Sequence, residues 1–168
     1  MEKDKEFLCY NRRPAPHRCQ LVSLMNSANM IEDSLVSFDT EHAICTIQND
    51  VFLNAERKKF FLENMPSKNL TIEPYILNSL ELSEHIKVIR HHMSTLISIV
   101  TETHWYEPEL SFTEKIYRPL SFGHPFIVVG KPGYLSKLQE IGFRTFNGII
   151  NESYDEIVNP EERFFALL

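Results

Sequence analysis

Short apolar runs alternate along this chain with longer stretches in which apolar residues recur every three or four positions. Phe7-Leu8-Cys9-Tyr10 is a compact apolar run, and the prolines of Asn11-Arg12-Arg13-Pro14-Ala15-Pro16 close it as a loop. From His17 the rhythm changes. Leu21, Leu24, Met25 and Ala28 fall on one face of a helix. Residues 35–38 read as a second strand ended by Asp39, while 43–47 fit either a short strand or a loop. Helical spacing returns at 55–65, stopped by Pro66-Ser67-Lys68-Asn69, and again at 77–92 through Leu77, Leu80, Ile86 and Ile89. Residues 95–101 (TLISIVT) are rich in β-branched side chains and bounded by polar ones, the pattern of a central strand buried on both faces. Beyond it the pattern predicts a helix at 113–122, a strand at 125–129, a helix at 132–141 and a short strand at 144–146. The acidic end, 153–168, reads as helical and interrupted by Pro160.

Strands alternating with helices of about ten residues or more predict an α/β fold with a mostly parallel sheet. The expected architecture is a single Rossmann-like three-layer domain spanning residues 1–168. No repeat, low-complexity tract or linker divides it. Ligands of such sheets sit beyond the carboxyl ends of the strands, which directs attention to two loops, 11–18 and 101–115.

Composition narrows the function. The 168 residues are 43% hydrophobic, enough for one real core. Seventeen Lys and Arg against 23 Asp and Glu leave a net charge of -6, which argues against a generic nucleic-acid binder. No apolar run approaches the roughly 20 residues of a membrane span, and none has the layout of a signal peptide. The expected partners therefore include neither nucleic acid nor membrane, and the expected compartment is the cytoplasm (that of a host, if the protein is viral). Cys9, Cys19 and Cys45 are odd in number and form no C-x-x-C pair, so neither a disulfide framework nor a thiolate zinc site is expected. His85, His91 and His92 lack the i, i+4 spacing of a zinc helix. No metal or cofactor is expected. G-x-S-x-G, P-loop, G-x-G-x-x-G and Cys/His nucleophile signatures are absent, so no catalytic residue is assigned.

Two constellations carry candidate chemistry. The loop 11–18 packs Arg12, Arg13, Arg18 and His17 into eight residues of an acidic chain, just before a helix. Rigid guanidinium groups beside helix N–H donors suit a diphosphate; solvated surface arginines would give the same pattern. Thr113-Glu114-Lys115 opens a helix, with Thr113 as its cap and Glu114 favourable in the first turn. The chemical alternative places the Glu114 carboxylate on ribose hydroxyls and the Lys115 ammonium on phosphate. In Gly123-His124-Pro125, Gly123 suits a left-handed helix cap and Pro125 a strand start, while His124 reads as structural, with a ligand-facing role as the alternative. Trp105 and Tyr106 suit either stacking on a base or sugar or packing in a core or lid. Phe164, Phe165, Leu167 and Leu168 suit a docking helix or, if exposed, a partner surface.

The order of these motifs resembles the nucleotide-sugar-binding half of GT-B glycosyltransferases, the C-terminal half of that fold. The residues concerned are Asn11 to Arg18, Phe112-Thr113-Glu114-Lys115-Ile116, and Pro125-Phe126-Ile127-Val128-Val129-Gly130. The nearest likeness is to α-1,3-fucosyltransferases and to phage-encoded glycosyltransferase-like proteins. The resemblance implies that Arg18 and Lys115 contact the diphosphate of a nucleotide-sugar or nucleotide diphosphate, that Glu114 holds the ribose, and that Asn11 and Thr113 shape the cleft. In that family an acceptor lobe precedes this half and supplies the general base, whereas here six residues precede the first strand. The resemblance then implies a binding protein that is not catalytic as an isolated chain and would need a second lobe from another protein. The alternative is a non-enzymatic viral interaction protein on the same fold, either a host-factor binder or inhibitor or a virion component.

Overall fold

The computed structural model describes residues 3–11, 13–72, 82–105 and 110–167. The chain packs as two compact units, 1–96 and 97–168. The first contains β1 (Lys5–Tyr10), α1 (Pro16–Ser27), β2 (Leu35–Ser37), α2 (Thr40–Gln48), α3 (Ala55–Glu63) and α4 (Leu82–Ser94). The second takes in β3 (Thr95–Thr101, which starts two residues before the boundary), α5 (Glu114–Phe122), β4 (Phe126–Val129) and α6 (Tyr134–Glu140). It ends with a 3-10 turn (Ser153–Glu156) and α7 (Pro160–Ala166). The fold is α/β and Rossmann-like, with a four-stranded parallel sheet in the order β2-β1-β3-β4.

In the first unit β1 runs parallel to β2, with Leu8 opposite Leu35 and Tyr10 opposite Ser37. Leu8, Cys9, Leu21, Val22, Met25 and Ile47 form the buried centre. Every residue of α1 from His17 to Ser23 is buried, polar ones included. Such a helix must satisfy its polar groups internally; Ser23 does so by donating to the Phe61 carbonyl at 2.9 Å. Residues 43–47, which the sequence left between strand and loop, lie in α2. Asp39 ends the strand and also starts this helix, its side chain accepting the His42 N–H as an N-cap. The buried pair Ala43 and Ile47 then falls at i, i+4 on the inward face. The helix predicted at 77–92 is present from Leu82; Leu77 and Leu80 lie outside the described residues.

In the second unit β3 runs parallel to β4, with Ser98 opposite Phe126 and Thr101 opposite Val129. Val100, Ile116, Phe126, Val128, Tyr134, Leu135 and Leu138 pack together as its core. Gly123 caps α5 at φ 58°, the left-handed conformation that a side chain disfavours. The strand predicted at 144–146 is not formed. The Glu152 carboxylate takes the Phe146 N–H at 2.7 Å and the Thr145 hydroxyl at 2.8 Å, so side chain replaces ladder there. A side chain also meets β4: the Val128 N–H donates to the Tyr154 hydroxyl at 3.1 Å. Pro160 does interrupt the helical end, as the first residue of α7 behind the Asn159 cap. Among the described residues, no helix is long and apolar enough to cross a membrane.

Candidate functional site

The chemistry of the second unit gathers where β3 ends. Glu102 follows Thr101 and prolongs the ladder, its N–H donating to the Val129 carbonyl at 3.1 Å. Its carboxylate is buried, at 3% exposure, and such a charge needs donors. The Thr113 hydroxyl donates to Oε2 at 2.7 Å, and the Tyr134 hydroxyl makes a short bond to Oε1. Burial first, and the adjacent Glu102 second, push the Tyr134 phenol far above its ordinary range, so it stays a donor.

Thr113 is also the N-cap of α5, accepting the Lys115 N–H at 3.3 Å, as its position before Glu114 predicts. The same hydroxyl receives the Lys115 ammonium at 3.3 Å, and the Thr103 hydroxyl receives it at 2.9 Å. Glu114 Oε1 lies 3.5 Å from Lys115 Nζ, with the Glu114 side chain 64% exposed against 25% for Lys115. The structure thus brings Thr113, Glu114 and Lys115 together on one turn. It adds Glu102 and Thr103, which the sequence reading missed. The available signal was an acid placed directly after the β-branched run Thr95–Thr101, where a buried carboxylate is expensive unless it has donors. Phe112 packs edge-on against Tyr134 at 4.9 Å and closes the inner side.

The loop after β1 is built differently. Asn11 is buried; its N–H donates to the Ser37 carbonyl and hydroxyl, each at 3.1 Å, and its amide donates to Cys9 Sγ at 3.1 Å. Arg18, at 6% exposure, donates from Nη1 to the Arg13 carbonyl at 3.0 Å. Both neighbour Cys9, whose thiol burial pushes up to about 12 against the opposing effects of the Asn11 hydrogen bond and the Arg18 charge. Arg13 is exposed; Arg12 and Tyr106 lie outside the described residues. At the end of β1, the Tyr10 hydroxyl and His91 Nδ1 are 2.7 Å apart, and His92 bonds the Val88 carbonyl through Nδ1.

Other candidates take structural places. His124 Nδ1 meets the Ser98 hydroxyl at 3.0 Å inside the second unit. Trp105 is buried under Arg163 and Phe164, while Phe165 is half exposed. A groove of about 690 Å³ opens beside α6, lined by Gly133, Ser136, Asn151, Glu152, Asp155 and Glu156. The Asp155 carboxylate accepts the Leu135 and Ser136 N–H groups there. None of Thr113, Glu114 and Lys115 lines this groove. Among the described residues no group of three His, Cys, Asp or Glu side chains is placed to hold a metal ion.

Compared with protein-family models, with curated proteins and with solved structures, the chain gives no match.

Proposed function

We propose that the protein binds a nucleotide diphosphate or nucleotide-sugar in the manner of a glycosyltransferase donor domain. The observation that carries the reading is the Lys115 ammonium, held by two threonine hydroxyls at the start of α5, just beyond the carboxyl end of β3. An oriented ammonium beside the amino end of a nine-residue helix attracts phosphate oxygens. Glu114, mostly solvent-exposed, supplies the acceptor that ribose hydroxyls require. Calorimetric titration with GDP, UDP and their sugars tests this reading. Wild type should bind at least one of them, and Lys115→Ala should weaken that binding about tenfold or more, the worth of one charge-assisted contact. Absence of binding to all of them ends the proposal.

A second reading, a non-enzymatic interaction protein, draws on the exposed apolar residues of the second unit. Ile149 is 83% exposed, Val158 77% and Phe165 51%. Exposed apolar surface of this kind suits contact with another protein. A stoichiometric partner captured equally by wild type and Lys115→Ala, and lost on Phe165→Ser, would favour it.

A further inference from the structure

We infer that α7 is a latch on the candidate site, with Arg163 as the positioning residue that fixes segment 102–105. Glu102 and Thr103 hold Thr113 and Lys115, and Trp105 comes two residues later. The Arg163 guanidinium lies 4.4 Å above the Trp105 ring centre, and the Phe164 ring meets the same indole edge-on at 5.9 Å. The same guanidinium donates from Nε to the Gly130 carbonyl at 3.1 Å. From Nη1 it donates to the Ile157 and Val158 carbonyls at 2.8 and 3.2 Å. One planar fork therefore ties together the segments after β3, β4 and the 3-10 turn. Only Arg permits this combination of stacked face and divergent donors.

α7 has seven residues, and Arg163 and Phe164 are its buried ones. A helix this short has no stability of its own, so its place depends on its anchors, of which those two side chains are the buried ones within the helix. Losing them frees both strand-end segments in one step, which makes the helix a two-state element. The Thr103 hydroxyl bonded to Lys115 Nζ belongs to the latched segment, so an anion held at Lys115 and a closed latch favour each other reciprocally.

Trp105 is the sole tryptophan and reports the latch by its emission. In Arg163→Met the emission should move to longer wavelength and amides at 102–105 and at 130, 131 and 133 should exchange about tenfold faster. Lys115 should also be acylated faster by an N-hydroxysuccinimide ester. Residues 3–72 should keep their protection. Arg163→Lys should give a partial effect. In Arg163→Ala, added ethylguanidinium should restore both the emission and the protection of Lys115, a rescue that general loss of packing would not show. Wild-type protection and Lys115 reactivity in folded Arg163→Met, or failure of the rescue, overturn the latch. If the variants do not fold, native-state exchange of wild type in low urea decides instead. Segment 102–105 and α7 must open together, and separate openings overturn the inference. The ligand arm rests on the nucleotide reading: Arg163→Lys should bind GDP about fivefold more weakly. A wild type that ignores GDP and UDP sinks that reading and leaves the exchange result to judge the latch.

Discussion

Arg18 and Lys115 are the two cations that the glycosyltransferase resemblance would set on a diphosphate, and the molecule treats them in opposite ways. Arg18 sits inside a helix that is buried nearly all round, with a backbone carbonyl on its guanidinium. Lys115 stands on two hydroxyls at a helix start, a quarter of its side chain open to water and an exposed carboxylate beside it. A side chain that organises its own unit costs stability when removed. One held ready by weak, exchangeable contacts costs function. The contrast therefore predicts which substitutions damage the fold and which damage only binding.

The largest effect is expected at Arg18. Arg18→Ala removes a buried side chain and its hydrogen bond, and should lower unfolding free energy by about 3 kcal/mol in urea titration. A loss below about 1 kcal/mol would mean that Arg18 is not a structural group, and the contrast with Lys115 would collapse. Glu102→Gln comes next. The amide presents an accepting oxygen at only one of the two positions, so either Thr113 or Tyr134 loses the acceptor of its O–H, at a cost of about 1–3 kcal/mol. Glu102→Gln should also loosen Lys115, read by its acylation rate, whereas Arg18→Ala should change stability most.

The two units should also respond to alkaline pH in different windows. Burial pushes the Cys9 and Cys19 thiols of the first unit from 9.0 to about 12. An acid whose folded pKa lies above its unfolded one costs nothing while both states keep the proton. Above pH 9 the unfolded thiol ionises and the folded one does not, so stability falls until about pH 12. Each thiol contributes a slope of up to about 1.4 kcal/mol per pH unit in that window. In the second unit the groups raised within the alkaline range are the phenols of Tyr134 and Tyr154, which burial also pushes up, from 10.0. Amide exchange should show residues 3–72 losing protection from pH 9 and residues 110–167 about one unit later. Cys9→Ala should flatten the first slope, and simultaneous loss in both units would remove this distinction.

The alternation of strands and helices was legible because each rhythm reports which faces meet the core, and 95–101 and 113–122 fell where expected. α2 was not legible, since Ala43 and Ile47 are too few to set a period and the deciding residue is a cap, Asp39, whose role depends on the residues after it. The strand at 144–146 failed for a related reason: Glu152, six residues later, satisfies the backbone that a strand would have paired. Of the site, the turn 113–115 was legible as a cap with two charges. Glu102 was not, because its partners Thr113 and Tyr134 are eleven and thirty-two residues away. Nor does spacing alone separate a buried arginine from a solvated one, which is why Arg18 and Lys115 looked alike in the chain.

The smallest effect on stability is expected at Lys115, and it is the most discriminating. Its bonds to Thr103 and Thr113 replace bonds to water, and its pairing with Glu114 is largely solvent-exposed. Lys115→Ala should therefore shift unfolding by no more than about 0.5 kcal/mol. Thr113 would keep its bond to Glu102 and its cap on α5, so the local frame survives the loss of the ammonium. If Lys115→Ala instead costs as much as Arg18→Ala, then Lys115 serves to neutralise the buried Glu102 and is not held for a ligand. Lys115→Met then separates charge from packing: it keeps the side-chain stem, so a loss shared by both variants belongs to the charge. A folded, stable Lys115→Met that no longer binds GDP or UDP would leave the ammonium with one task, holding phosphate.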